Sequence, residues 1–85
     1  MLKSEDITKL AKECKLEVNV DFEYDFDNSK SNIYHIYALL LEIKDRFELC
    51  DYFFLTDQEL PPMLKNNRTE KILDELLNNG VINGY

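Results

Sequence analysis

The chain has 85 residues, of which 17 are acidic and 10 basic, and its formal net charge is −7. A chain this short can form one hydrophobic core but not two, and its 45% of apolar residues exclude a disordered chain. Because affinity for nucleic acid depends mainly on Lys and Arg at phosphates, the acidic balance disfavours direct DNA or RNA binding and favours a basic partner. We therefore expect one folded domain over residues 1–85.

The first predicted element is a helix over about residues 4–15. Its apolar positions recur every three or four residues, the period of one helix face, at Ile7, Leu10, Ala11 and Cys14. Ser4 is a natural N-cap, and the acidic residues that follow it suit the positive end of the helix dipole.

Over residues 16–27 the period changes to two. Apolar residues alternate with polar ones, at Leu16, Val18, Val20, Phe22, Tyr24 and Phe26. Strict alternation rich in β-branched and aromatic residues is typical of a half-buried strand. The pattern therefore predicts a twelve-residue strand with carboxylates along its other face.

A polar turn over residues 28–32 precedes a helix that starts near Ile33 and has a wide apolar face, as expected of a central core helix. A short strand is predicted over residues 52–55. The spacing of Thr56 and Glu59 is that of a capping box, which predicts the start of a helix. Pro61 and Pro62 should break this helix, so that it ends near residue 64.

The last predicted helix begins at the cap-like pair Asn67 and Glu70 and ends before Gly80. Residues 81–85 are predicted to form a terminal strand. The order is helix, strand, helix, short strand, helix, helix, strand, which indicates a small α+β domain with a small antiparallel sheet.

The second half of the chain, over about residues 33–85, resembles the winged helix-turn-helix family. The matching positions are Thr56, Glu59, Leu60, Leu64, Ile72, Leu73, Leu76, Gly80, Val81 and Ile82. The resemblance implies a winged-helix-like fold, in which the first strand completes the sheet. It also implies that exposed residues early in the last helix, Asn67, Arg68 and Lys71, would read DNA, whereas a merely solvated helix face is the simpler alternative.

Enzymatic and metal chemistry have little support in the sequence. The single histidine, His35, has no nucleophile motif around it, and Cys14 and Cys50 lack zinc-site spacing and read as buried thiols. The acidic row from Asp21 has Phe26 where a calcium loop requires Gly. We therefore expect no enzyme activity, no cofactor and no metal.

The acidic face of the predicted strand is the candidate partner-binding surface. It carries five carboxylates, at Glu17, Asp21, Glu23, Asp25 and Asp27. Residues two apart on a strand lie about 6.6 Å from each other, close to the spacing of successive phosphates, so the row could imitate nucleic acid. In size and acidity the chain is similar to some phage and mobile-element inhibitors, including anti-CRISPR and antirestriction proteins.

Three interpretations of this face stay open. It could bind a basic, nucleic-acid-binding protein, or it could be an ordinary solvated surface that protects a strand edge from aggregation. The strand is also longer than its predicted partners, so its free edge over residues 16–27 could pair with a second copy in a homodimer. The chain shows no signal peptide and no apolar run near ~20 residues, so we expect a cytoplasmic protein without a membrane span.

Overall fold

The computed structural model describes residues 1–48 and 66–85. Within them the chain forms helix α1 (Ser4–Glu13), strand β1 (Glu17–Val18), helix α2 (Ile33–Glu48), helix α3 (Asn67–Asn78) and strand β2 (Ile82–Gly84). The prediction of a small α+β domain with an antiparallel sheet is confirmed. The short strand and broken helix predicted over residues 52–64, and Cys50, lie outside the described residues.

Helix α1 starts at Ser4 as predicted, but its N-cap is Lys3. The Asp6 carboxylate accepts a hydrogen bond from the Lys3 backbone N–H at 2.9 Å and satisfies a group that the helix leaves free. The Ser4 hydroxyl is therefore available elsewhere, and its oxygen accepts the backbone N–H of Tyr24 at 2.6 Å.

Helix α2 is the centre of the core, as its wide apolar face predicts. Its start is capped by Asn32, whose side-chain oxygen accepts from the Tyr34 N–H at 2.7 Å. The buried side chains of α2 are Ile33, Ile36, Leu39, Leu40, Ile43 and Phe47. Helix α1 packs against α2, and so does α3.

The N-cap of helix α3 lies one residue before the predicted one. Asn66, and not Asn67, is the N-cap, and its side-chain oxygen accepts from the Thr69 N–H at 3.0 Å. The helix ends as predicted before Gly80, whose φ of 75° lies in the left-handed region that a side chain disfavours.

The sheet is small and antiparallel, with Glu17 opposite Gly84 and Val18 opposite Ile82. Beyond β1, the Asn19 N–H donates to the carbonyl of Val81 at 2.9 Å, and the Asn19 amide donates to the carbonyl of Gly80 at 3.0 Å. The pairing joins the segment that follows α1 to the segment that follows α3.

The predicted twelve-residue strand over 16–27 is wrong, because β1 covers only Glu17–Val18. Its partner β2 has three residues, and the Asn19 side chain accepts the Asp21 N–H at 3.0 Å, which turns the chain away from the ladder. Val20, predicted on the core face, is 84% exposed. The homodimer predicted through this strand loses its long edge and stays an untested prediction.

The core joins all five described elements. Its most deeply buried members are Ile7, Ala11, Leu40, Ile43, Ile72, Leu73, Leu76 and Val81. Across the two described stretches, no helix has both the length and the apolar character needed to cross a membrane.

Candidate partner-binding loop

The connection between β1 and α2, residues 19–32, is here called the acidic loop. Two aromatic residues hold it against the body of the protein. Phe22 is buried, at 9% exposure. Tyr24 is fixed at both ends, because its N–H donates to the Ser4 hydroxyl and its phenol donates to the carbonyl of Ser31. The loop therefore has a defined shape without being a strand.

Four of the five predicted carboxylates lie on this loop, and all five are exposed. Asp21 and Glu23 flank the buried Phe22, so the alternation of the sequence survives there as inward aromatic and outward carboxylate. Glu17 is set apart on β1, opposite Gly84. Because only Glu17 is in a strand, the predicted row of carboxylates at regular strand spacing is wrong.

Asp25 has a structural role that the sequence pattern did not distinguish. Its carboxylate accepts the backbone N–H of Asp27 at 2.9 Å, that of Asn28 at 3.2 Å and the Asn28 side-chain amide at 2.9 Å. The Asn28 side chain first, and then the two backbone N–H groups, lower the pKa of Asp25 below its ordinary value. Asp25 thus closes the turn over residues 25–29, and its carboxylate oxygens are engaged in hydrogen bonds within that turn.

The other loop carboxylates are free to meet a partner. Those of Asp21, Glu23 and Asp27 accept no hydrogen bond and form no ion pair within residues 1–48 and 66–85. The sequence has no Lys or Arg between Lys15 and Lys30. Residues 16–29 therefore carry negative charge that no cation of the same segment neutralises.

Phe26 is the functional candidate that sequence reasoning placed on the wrong side. The alternating pattern put it in the core, yet it is 58% exposed. Its ring meets that of Tyr24 edge-to-face, with centroids 4.7 Å apart. The Asp-x-Asp-Asn sequence that turns the chain at this point was the available signal, because Asp and Asn favour such turns.

The alternative site on α3 is partly engaged within the protein. The Arg68 guanidinium donates to both oxygens of Glu42 on α2, at 2.7 and 2.8 Å, and Arg46 donates to Glu42 at 3.2 Å. The Arg68 hydrogen bond is the main cause of a lowered pKa for Glu42. Asn67 and Lys71 are exposed at the start of α3.

A second contact between α2 and α3 pairs His35 with Glu75. The His35 Nε2 and the Glu75 Oε1 are 2.6 Å apart, and both side chains are partly exposed. The pair gives His35 a partner on the neighbouring helix, and no pattern in the sequence links residues 40 positions apart.

Cys14 is buried between α1 and α2, as predicted. Its thiol lies 3.5 Å from the carbonyl of Leu40, to which it donates. Burial raises the pKa of Cys14 to about 11, which disfavours the reactive thiolate.

In the described part of the chain, no three His, Cys, Asp or Glu side chains are grouped so that they could hold a metal ion. No protein-family model, curated protein or solved structure matches this chain.

Proposed function

We propose that this protein is a non-enzymatic binding module that engages a basic protein through the acidic loop. The observation that carries the proposal is the set of exposed carboxylates at Asp21, Glu23 and Asp27, which have no partner among the described residues and lie in a stretch, residues 16–29, without Lys or Arg. Unneutralised charge of one sign raises the rate at which an oppositely charged partner is captured.

The basic partner that fits this chemistry is a protein with a phosphate-binding face. Such faces gather Lys and Arg, and an acidic surface can occupy them in place of nucleic acid. We therefore propose an inhibitor of a nucleic-acid-binding protein, of the kind that phages and mobile elements use. This proposal is supported by the charge of the acidic loop and not by the spacing of its carboxylates, because the loop is not a strand. We expect it to act in a reducing cytoplasm, which would keep the Cys14 thiol free.

The test is a variant that removes the free charges and spares the turn. Asp21→Asn, Glu23→Gln and Asp27→Asn together leave Asp25 in place. Binding to an oligolysine peptide at low salt should weaken about tenfold, since three exposed ion pairs contribute roughly 0.5 kcal/mol each. Isothermal titration calorimetry measures the dissociation constant.

The matched control changes the same number of exposed carboxylates elsewhere, at Glu13, Asp45 and Glu70. Both variants have a net charge of −4 in place of −7. Equal weakening in the two variants would show that total charge, and not the loop, attracts the peptide. With the loop confirmed, affinity capture with wild type and loop variant would identify the physiological partner.

DNA binding through α3, implied by the winged helix-turn-helix resemblance, stays an untested alternative. Arg68 would have to exchange its two hydrogen bonds to Glu42 for bonds to DNA. A gel-shift experiment with genomic fragments at low salt tests it directly. A shift that disappears in Lys71→Gln but not in the loop variant would favour this function.

A further inference from the structure

Phe26 is an apolar side chain in an otherwise charged part of the surface. Its neighbours in sequence are Asp25 and Asp27, and its side chain is 58% exposed. Val20 is also exposed, but it lies in a shallow groove beside Lys9 and Lys12 of α1. Phe26 is thus the exposed apolar residue of the loop whose two neighbours in sequence both carry carboxylates.

The position of Phe26 is fixed before any partner arrives. On its N-terminal side, Tyr24 supports the ring edge-to-face and is itself bound to Ser4 and Ser31. On its C-terminal side, the Asp25 carboxylate and carbonyl bind the following turn, with the Ser29 N–H donating to the Asp25 carbonyl at 2.9 Å. A side chain held in place in this way loses little conformational entropy on binding.

We infer that Phe26 is the apolar anchor of the acidic loop, and that it binds an apolar patch ringed by Lys or Arg on a partner protein. The inference rests on the proposed function for the charge of the partner. The occupant follows from charge complementarity: Glu23, Asp25 and Asp27 surround the ring in sequence, so cations must surround the patch that covers it. A polar rim around a buried aromatic residue is the usual anatomy of an interface hot spot.

If Phe26 is an anchor, the protein should prefer a basic peptide with apolar side chains over a peptide of equal charge without them. Two end-blocked pentapeptides with equal charge serve as probes, one alternating Lys with Leu and the other Lys with Gly. At about 50 mM salt the Leu peptide should bind wild type about tenfold more tightly than the Gly peptide, because only the Leu peptide buries apolar area against Phe26. NMR titration of backbone amides measures both constants.

Three variants assign this preference to a residue. Phe26→Ala should bring the ratio of the two dissociation constants close to one. Phe26→Leu should keep most of it, which excludes an interaction of lysine with the aromatic face. Tyr34→Ser is the matched control, because Tyr34 is 57% exposed and lines a separate groove of about 510 Å³ with Leu2 and Leu10. It should leave the ratio unchanged.

Several outcomes would overturn the anchor. The ratio of the two dissociation constants could stay unchanged in Phe26→Ala, or it could be lost in Tyr34→Ser. Either result would place the apolar contact elsewhere, while the proposed charge-based function would stand. If Phe26 signals of the free protein shift with protein concentration, the occupant is a second copy and the inference is wrong. If neither peptide shifts the loop amides, the proposed function fails as well. Amide dispersion of each variant establishes that it is folded.

Discussion

Among the loop carboxylates, Asp25 differs from its neighbours in what its oxygens do. Asp21, Glu23 and Asp27 face solvent, whereas Asp25 accepts three hydrogen bonds from Asp27 and Asn28. The sequence shows four acidic residues at equal intervals and cannot separate these roles, because the difference arises from the local turn. Side chains of Asp and Asn compete with the sheet for backbone N–H groups wherever the chain can bend.

The turn should respond to pH through Asp25. Its bonded form is the ionised one, so the pKa is lowered in the folded protein, and the stabilisation is present above the ordinary Asp value and lost as pH falls through the lowered pKa. We expect the Asp27 and Asn28 amide signals to titrate with a midpoint below that ordinary value. A two-dimensional NMR pH series measures it.

Substitutions at two loop residues distinguish the loss of a hydrogen-bond acceptor in the turn from the loss of a negative charge. Asp25→Ala should make the amides of Asp27 and Asn28 exchange faster with solvent, because their acceptor is gone. Asp27→Ala removes an equally exposed carboxylate that accepts no bond among the described residues, and should have no such effect. Equal exchange rates in the two variants would contradict the role given to Asp25.

At the scale of elements, the helices followed from the sequence and the long strand did not. The three described helices, of 10, 16 and 12 residues, have apolar residues at helical spacing, and only α1 and α3 differ in cap position. Alternation over residues 16–27 fits a strand, but it also fits an extended loop that docks Phe22 and Tyr24 inward. A strand needs hydrogen-bonded neighbours along its length, and β2 offers three residues.

The start of α3 gives a direct test of the observed cap. Asn66→Ala should lower the free energy of unfolding by about 1 kcal/mol, because the Thr69 N–H loses its acceptor. Asn67→Ala is the control and should change it by less than about 0.5 kcal/mol, as expected of an exposed residue without such a bond. Urea denaturation measures both, and the reverse order would restore the cap predicted from sequence.

The whole molecule is held by contacts between residues far apart in sequence, which composition and periodicity cannot locate. Glu42 with Arg68, and His35 with Glu75, join α2 to α3 across 26 and 40 positions. The acidic surface could be anticipated from net charge. The exposure of Phe26, on which the anchor depends, required the path of the loop.

Cys14 reports the integrity of the whole core. Burial raises the pKa of its thiol to about 11, so the reactive thiolate is scarce at pH 8, and the group is also shielded from reagents. Alkylation by iodoacetamide should be slow in the native protein and rise with urea in parallel with loss of helical circular dichroism. Mass spectrometry of the peptide that contains Cys14 measures the rate.

If α1 separated locally from α2, Cys14 would be alkylated before the helical circular dichroism is lost. Asp25→Ala disturbs only the loop and should leave the alkylation rate of Cys14 unchanged in buffer. Rapid alkylation of the native protein would show that α1 separates from α2 without global unfolding, contrary to the continuous core seen here.

The bonds of Asn19 to Gly80 and Val81 have a consequence for synthesis on the ribosome. Asn19 starts the acidic loop, yet its amide donates to a carbonyl 61 positions later in the chain. A nascent chain can form α1 and α2 from local contacts, but it cannot fix the start of the loop until residues 80–84 have emerged. The start of the loop is therefore synthesised early and fixed late, so a chain truncated before Gly80 would keep the carboxylates and lack the two bonds that hold Asn19.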